Sequence, residues 1–189
     1  MDYTEIVCVI DKSGSMGAVT KDSISGFNEF LKQQKKLPGN AKFTLVLFDT
    51  NYKVVCDGVN IEDAESLTEK TYQPSGLTAL LDAVGKTIDS VGERLSSSSD
   101  KPDKVIVAIL TDGEENASTE YKLETIKSKI EHQQNNYAWE FIYLGANQDS
   151  FLEAGKLGIK RSNTFNYNVD DIADTYCLTM SRAVTSHRK

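Results

Sequence analysis

The chain has 189 residues, a formal net charge of −7 and a pI near 4.9, with 39% hydrophobic residues. That length fits one α/β domain over residues 1–189, whose core needs neither disulfide nor metal to fold. The acidity disfavours nucleic acid and anionic membrane as main partners, and no apolar run approaches the length of a membrane span.

Cys8 and Cys56 fall in apolar strand patterns and Cys177 on a helix face, with no Cys-x-x-Cys or Cys/His metal spacing. Reduced, buried thiols are expected. Met1-Asp-Tyr-Thr-Glu shows no signal-peptide pattern, so the expected location is cytoplasmic.

Glu5–Ile10 reads as a central parallel strand, apolar on both faces. A helix is predicted over 20–36, with Ile24, Phe27 and Leu31 on one side, and Pro38-Gly39-Asn40 ends it. Strands follow at 42–48 and 52–59. Their connector, Asp49-Thr50-Asn51, is so short that they must form an antiparallel hairpin, the second strand at the sheet edge. A short helix is expected at 61–67. Leu81, Val84, Ile88, Val91 and Leu95 recur at helical steps and predict a helix from Thr78 to Leu95.

Lys104–Thr111 is a second central strand. A helix over 119–134 turns Leu123, Ile126 and Ile130 inward. A strand at 139–144, a short helix at 149–157, an edge strand at 163–167 and a terminal helix from Asp170 that frays after Ser186 complete the chain. The alternation predicts a three-layer, Rossmann-like, doubly wound α/β fold. Its six-stranded sheet is mostly parallel, with one antiparallel edge strand and helices on both faces. Such sheets bind ligands beyond the carboxyl ends of strands where the winding reverses. The two most apolar strands should meet there, and their ends carry Asp11 and Asp112.

Asp11, Ser13 and Ser15 alternate after the first strand, Thr78 precedes a helix, and Asp112 ends the fourth strand. These are hard oxygen donors. Two carboxylates roughly balance a divalent ion, and oxygen-only ligation favours Mg²⁺, Mn²⁺ or Ca²⁺ over Zn²⁺ or Cu²⁺. Gly14, Gly76, Gly113, Glu114, Glu115 and Asn147 are candidates for the rim and for ligand contact. Glu114 and Glu115 can hold the metal's waters, act as a base or repel acidic ligands, or simply complement a helix N-terminus. Asp149 capping the next helix explains the Gly145–Asp149 segment as well as ligand contact does.

Asp11-Lys-Ser13-Gly-Ser15, Thr78 in Ser-Gly-Leu-Thr-Ala and Asp112 in Leu-Thr-Asp-Gly resemble the metal-ion-dependent adhesion site of von Willebrand factor A domains. The strand–helix order is similar over essentially the whole chain. The resemblance implies one bound Mg²⁺ or Mn²⁺, with Ca²⁺ ranking behind. Ser13 and Ser15 would bind it directly, and Thr78, Asp11 and Asp112 directly or through water. It also implies a partner protein whose Asp or Glu completes the shell, in an intracellular bacterial or phage-type member.

An enzyme is the first rival. A haloacid-dehalogenase-type phosphatase needs an Asp where Ser13 stands, no phosphate-binding loop is present, and Ser13-Gly-Ser15-Met-Gly17 lacks the first Gly of a nucleophile elbow. His132 and His187 are poorly placed as bases, which leaves metal-assisted hydrolysis through Glu115. A scaffold that captures no ligand is the second rival. The reading adopted is a non-enzymatic module that binds protein through a metal.

Overall fold

The computed structural model describes residues 3–146 and 149–189. β1 (Tyr3–Asp11) is buried along its whole length. Alternate side chains of a strand face opposite ways. Ile6, Cys8 and Ile10 therefore enter one apolar cluster, and Val7 and Val9 the other. β2 (Asn40–Phe48) and β4 (Lys104–Thr111) flank β1, both parallel to it. β3 (Tyr52–Asn60) pairs antiparallel with β2, while β5 (Glu140–Gly145) and β6 (Thr164–Asn166) extend the parallel side. The six-stranded order is β3-β2-β1-β4-β5-β6. β3 is the antiparallel edge strand, and the winding reverses between β1 and β4.

α1 (Thr20–Lys35) lies on the Ile6 face. α2 (Leu80–Ser97), α3 (Leu123–Tyr137) and α4 (Ser150–Lys156) cover the Val7 face. The chain returns to α1 through α5 (Ile172–Asp174), a π-helical turn over Thr175–Met180, and α6 (Ser181–Arg188). Among the described residues no helix is long and apolar enough to cross a membrane.

Several elements depart from expectation for identifiable reasons. α2 begins at Leu80 and α3 at Leu123, because the intervening backbone is bound by side chains instead of helical carbonyls. The amides of Thr119, Glu120 and Tyr121 all donate to the Asp82 carboxylate, which keeps them out of α3. Within 61–67 only Ile61–Asp63 is helical, as a 3₁₀ turn. Leu67 is instead held by both groups of the Asn28 amide, at 2.7 and 2.9 Å. The terminal helix does not fray at Ser186: α6 runs to Arg188, whose Nη1 donates to the Gln34 carbonyl at 2.8 Å.

β1 is not wholly apolar either. Glu5 is fully buried, and its carboxylate accepts from Arg94 Nη2 at 2.8 Å and Nη1 at 3.3 Å, and from Thr44 Oγ1 at 3.1 Å. The two-point guanidinium contact is what makes a charge inside the sheet tolerable.

The C-terminal segment docks on α1 at Gly26. A β-carbon there would stand 2.8 Å from Ala173 Cα and 3.1 Å from the Ala173 carbonyl oxygen. Both are backbone atoms and cannot swing aside. Overpacking against backbone should therefore cost Gly26→Ala about 2–3 kcal/mol, against the ~1 kcal/mol that Ala gains in helix propensity, a net loss of about 1–2 kcal/mol. Urea denaturation followed by circular dichroism measures this, and an unchanged or raised midpoint contradicts the close contact.

Candidate metal centre

Three loops meet beyond the carboxyl ends of β1 and β4. The first starts at Asp11, which is fully buried. Its Oδ1 accepts the Ser13 amide at 2.6 Å, and its Oδ2 accepts the Thr111 hydroxyl at 2.7 Å. The Asp11 carbonyl is held from below by the Tyr72 hydroxyl at 2.8 Å. This fixes the turn so that Ser13 and Ser15 present their hydroxyls together, 3.1 Å apart. The third loop brings Asp112 to them. Its Oδ1 lies 2.8 Å from Ser15 Oγ and 3.5 Å from Ser13 Oγ. Thr78, on the second loop, is buried, and its hydroxyl stands 3.8 Å from the point where a β-carbon on Gly113 would lie.

These oxygens suit a small hard cation. Metal–oxygen distances of about 2.1 Å put neighbouring ligands of an octahedral Mg²⁺ about 3 Å apart. Ser13 Oγ, Ser15 Oγ and Asp112 Oδ1 are separated by 2.8–3.5 Å. Among the described residues no three His, Cys, Asp or Glu side chains cluster as a metal-binding group. The cradle carries two acids, and its remaining donors are hydroxyls. Burial raises the Asp11 pKa, and the nearby charge of Asp112 adds to the rise, against hydrogen bonds from Thr111 and Ser13 that lower it.

The loops are tied in pairs. The Thr111 hydroxyl joins the third to the first. Asn116 joins the third to the second: its Oδ1 accepts the Thr78 amide at 2.9 Å and its backbone N–H donates to the Thr78 carbonyl at 3.0 Å. Between the first and second, the Gly14 amide donates to the Gly76 carbonyl at 3.1 Å and the Ser75 amide to the Lys12 carbonyl at 2.9 Å. Gly76 has φ +65°, and a β-carbon there would come within 2.7 Å of Thr50 Oγ1, so this corner requires glycine.

The rim candidates separate. Gly14, Gly76 and Gly113 stand at the loop crossings. Glu114 is exposed and borders a 420 Å³ cavity with Leu81, Leu123 and Leu152. Glu115 borders the same cavity, but its carboxylate is engaged. Its carboxylate accepts the Leu81, Ala117 and Ser118 amides and the Ser118 hydroxyl, at 2.7–2.9 Å, at the start of α2. Asn147 lies outside the described residues, and Asp149 accepts the Leu152 amide as the cap of α4. The sequence reading missed Thr111, Tyr72 and Asn116. Thr111 adjoins Asp112 and was legible as a second donor at that strand end, whereas nothing local marks Tyr72 or Asn116.

Residues 4–153 match the family model for the von Willebrand factor type A domain. The chain belongs to this family. No curated protein matches it in sequence. The von Willebrand factor domain of Mfa5, a type V pili tip protein from Porphyromonas gingivalis, superposes with a TM-score of 0.69 at 12% identity, covering 98% of this chain and 96% of that one. Proximal thread matrix protein 1 from the mussel byssus gives 0.69 at 15% identity, over 96% of this chain and 46% of that one. The present von Willebrand A domain thus spans about half the length of the mussel protein. At such identities the likeness is one of fold. A form of the mussel protein described as having a zinc-occupied MIDAS motif gives 0.67 at 14% identity, over 95% and 47% of the two chains.

In this von Willebrand A domain the third loop is fastened to α2 largely by Asp82. Burial would raise its pKa, but the three amides from Thr119, Tyr121 and Glu120 outweigh that and lower it. A lowered folded-state pKa stabilises the fold above the unfolded value, and the benefit is lost as pH falls through the folded one. Asp82→Asn should cost about 1–3 kcal/mol at neutral pH. The gap from wild type should hold down to about pH 4 and close below it. Denaturation midpoints across an acid series test this, and a gap that widens on acidification is the contrary result.

Proposed function

We propose that this von Willebrand A domain binds one divalent cation, Mg²⁺ or Mn²⁺, between Asp11, Ser13, Ser15, Thr78 and Asp112, and uses it to capture a carboxylate of a partner protein. The observation that carries the reading is the approach of Ser13 Oγ, Ser15 Oγ and Asp112 Oδ1 at the spacing of neighbouring ligands around a small hard ion. Hydroxyls lower the ion's charge little. An ion bound largely by them keeps its attraction for one more anion, which an Asp or Glu side chain supplies. The zinc-occupied motif described for the mussel protein supports a metal at this place in the fold. Oxygen-only donors favour Mg²⁺ or Mn²⁺ in this chain.

Binding fits the site better than hydrolysis. Glu115, the base that hydrolysis would need, has its carboxylate engaged by four donors at the start of α2. His132 is on α3 and borders a cavity with Pro102, Val105 and Trp139, near the amino ends of β4 and β5 and away from the cradle. His187 lies at the end of α6.

Calorimetric titration with millimolar Mg²⁺ or Mn²⁺ should show one site. The ion should stabilise the protein by about 2.7 kcal/mol at roughly 100 times its Kd. Asp11→Ala should abolish both effects, and a wild-type protein that takes up neither ion refutes the proposal. Pull-downs from the source lysate, with and without EDTA, address the second half. Partners should be released by EDTA and absent with Asp11→Ala, and capture of the same partners regardless of metal counts against a carboxylate bridge.

A further inference from the structure

Lys12 lies between Asp11 and Ser13, and so puts a positive charge next to two residues of the proposed cation cradle. A free ammonium there would oppose the binding of a second cation. Its Nζ instead pairs with the carboxylate of Asp49, the residue after β2, which is 1% exposed.

Asp49 also takes hold of the second loop. Its Oδ2 accepts the Ser75 hydroxyl at 2.8 Å, and its backbone carbonyl accepts the Ala79 amide at 3.0 Å. Ser75 and Ala79 bracket the segment that carries Thr78. The carboxylate is itself fixed by the Asn51 amide, which donates to Oδ1 at 2.6 Å. One buried residue thus grips the first loop through a lysine and the second loop at both ends, while the Lys12 amide donates to the Phe48 carbonyl at 2.7 Å.

We propose that Asp49 is the positioning residue of the cradle: without touching the ion, it holds Ser13 and Ser15 against Thr78 and neutralises Lys12, so ion affinity depends on it. This rests on the metal-binding reading above. Groups that orient ligands from behind commonly change metal affinity 10–100-fold when removed. Asp49→Asn keeps the shape and loses the charge, so it releases Lys12 as well as loosening the loops, and both effects weaken cation binding.

The test uses the full chain and Mn²⁺ alone, with free Mn²⁺ read by electron paramagnetic resonance well below the melting temperature. Asp49→Asn should raise the Mn²⁺ Kd by about 10–100-fold. Ser75→Ala, which removes one contact and no charge, should raise it less. Lys12→Arg, which keeps the ion pair, should stay near wild type. In metal-free protein, Asp49→Asn should speed hydrogen exchange at the Gly14 and Ser75 amides and leave those of Ala79, which the residue 49 carbonyl still holds, and of β1 and β4 protected. A wild-type Kd in folded Asp49→Asn overturns the inference and leaves the metal reading standing. Accelerated exchange across the whole sheet overturns it too, since Asp49 would then support the fold in general. Should Asp49→Asn fail to fold, Ser75→Ala decides: an unchanged Kd there is the overturning result. Absence of Mn²⁺ binding by the wild type refutes both proposals at once.

Discussion

The parallel register of β1 with β4 governs everything at the carboxyl edge of the sheet. Ile10 stands opposite Leu110, so the next residues, Asp11 and Thr111, end their strands at the same height. Their side chains meet there, Thr111 Oγ1 to Asp11 Oδ2 at 2.7 Å. A slip of one residue would turn Asp11 to the opposite face and break this contact. It would also carry Ser13 and Ser15 away from Asp112, because their positions follow from the turn that Asp11 Oδ1 closes. Tyrosines on two separate segments brace the same edge: Tyr72 donates to the Asp11 carbonyl and Tyr167 to the Thr111 carbonyl, at 2.8 and 3.1 Å.

Three buried acids near this edge, Asp11, Asp49 and Asp82, fall into two electrostatic classes. Asp49 and Asp82 hold loops together. Burial opposes their ionisation, but a lysine and several amides outweigh it and lower their pKa values. Asp11 belongs to the other class. It has hydrogen bonds too, yet burial and the charge of Asp112 prevail and its pKa is raised. The scaffold acids are kept charged by partners within the protein, whereas burial and the neighbouring Asp112 disfavour the charged form of Asp11 despite its two hydrogen bonds. That is the arrangement in which a bound cation gains most, since each carboxylate relieves the repulsion it feels from the other by sharing the ion.

The edge hairpin and the meeting of β1 with β4 at the winding reversal were legible in the sequence, because long apolar runs identify buried parallel strands and a three-residue connector permits only a hairpin. β4 was read to the residue, since Lys104 and Asp112 bound it sharply. The helix starts were not legible. Thr78 and Thr119 look like helix N-caps in sequence, but their amides are claimed by Asn116 and Asp82, 38 and 37 residues away. Glu5 was hidden for a related reason: its partner Arg94 is 89 residues distant, so nothing near it marks a buried ion pair. Glu115 shows the limit most clearly. Next to Asp112 and Gly113 it looks like part of the rim, yet one bend in the loop sends its carboxylate to α2, where backbone amides at a helix start favour an anion. Local patterns report which face is buried, and they do not report long-range hydrogen bonds from loop to loop.

The loops that carry the proposed ligands are fixed by contacts the protein makes with itself. The cradle's hydroxyls and Asp112 hydrogen-bond to one another, and an ion would replace those weak contacts without moving the backbone that sets them. The stiffness comes from outside the cradle: the Thr111 bond, the paired Asn116 bonds, the Asp49 contacts and the glycine corner at Gly76 packed on Thr50. Each joins a different pair of loops or fixes one of them, so the loops close into a ring. In a ring, a loop displaced at one seam is still restrained at the other, and the ligand oxygens can shift by only a fraction of their separation. The entropic cost of ordering these oxygens is thereby met during folding, which is what a site that relies on neutral hydroxyls beside its two acids would need.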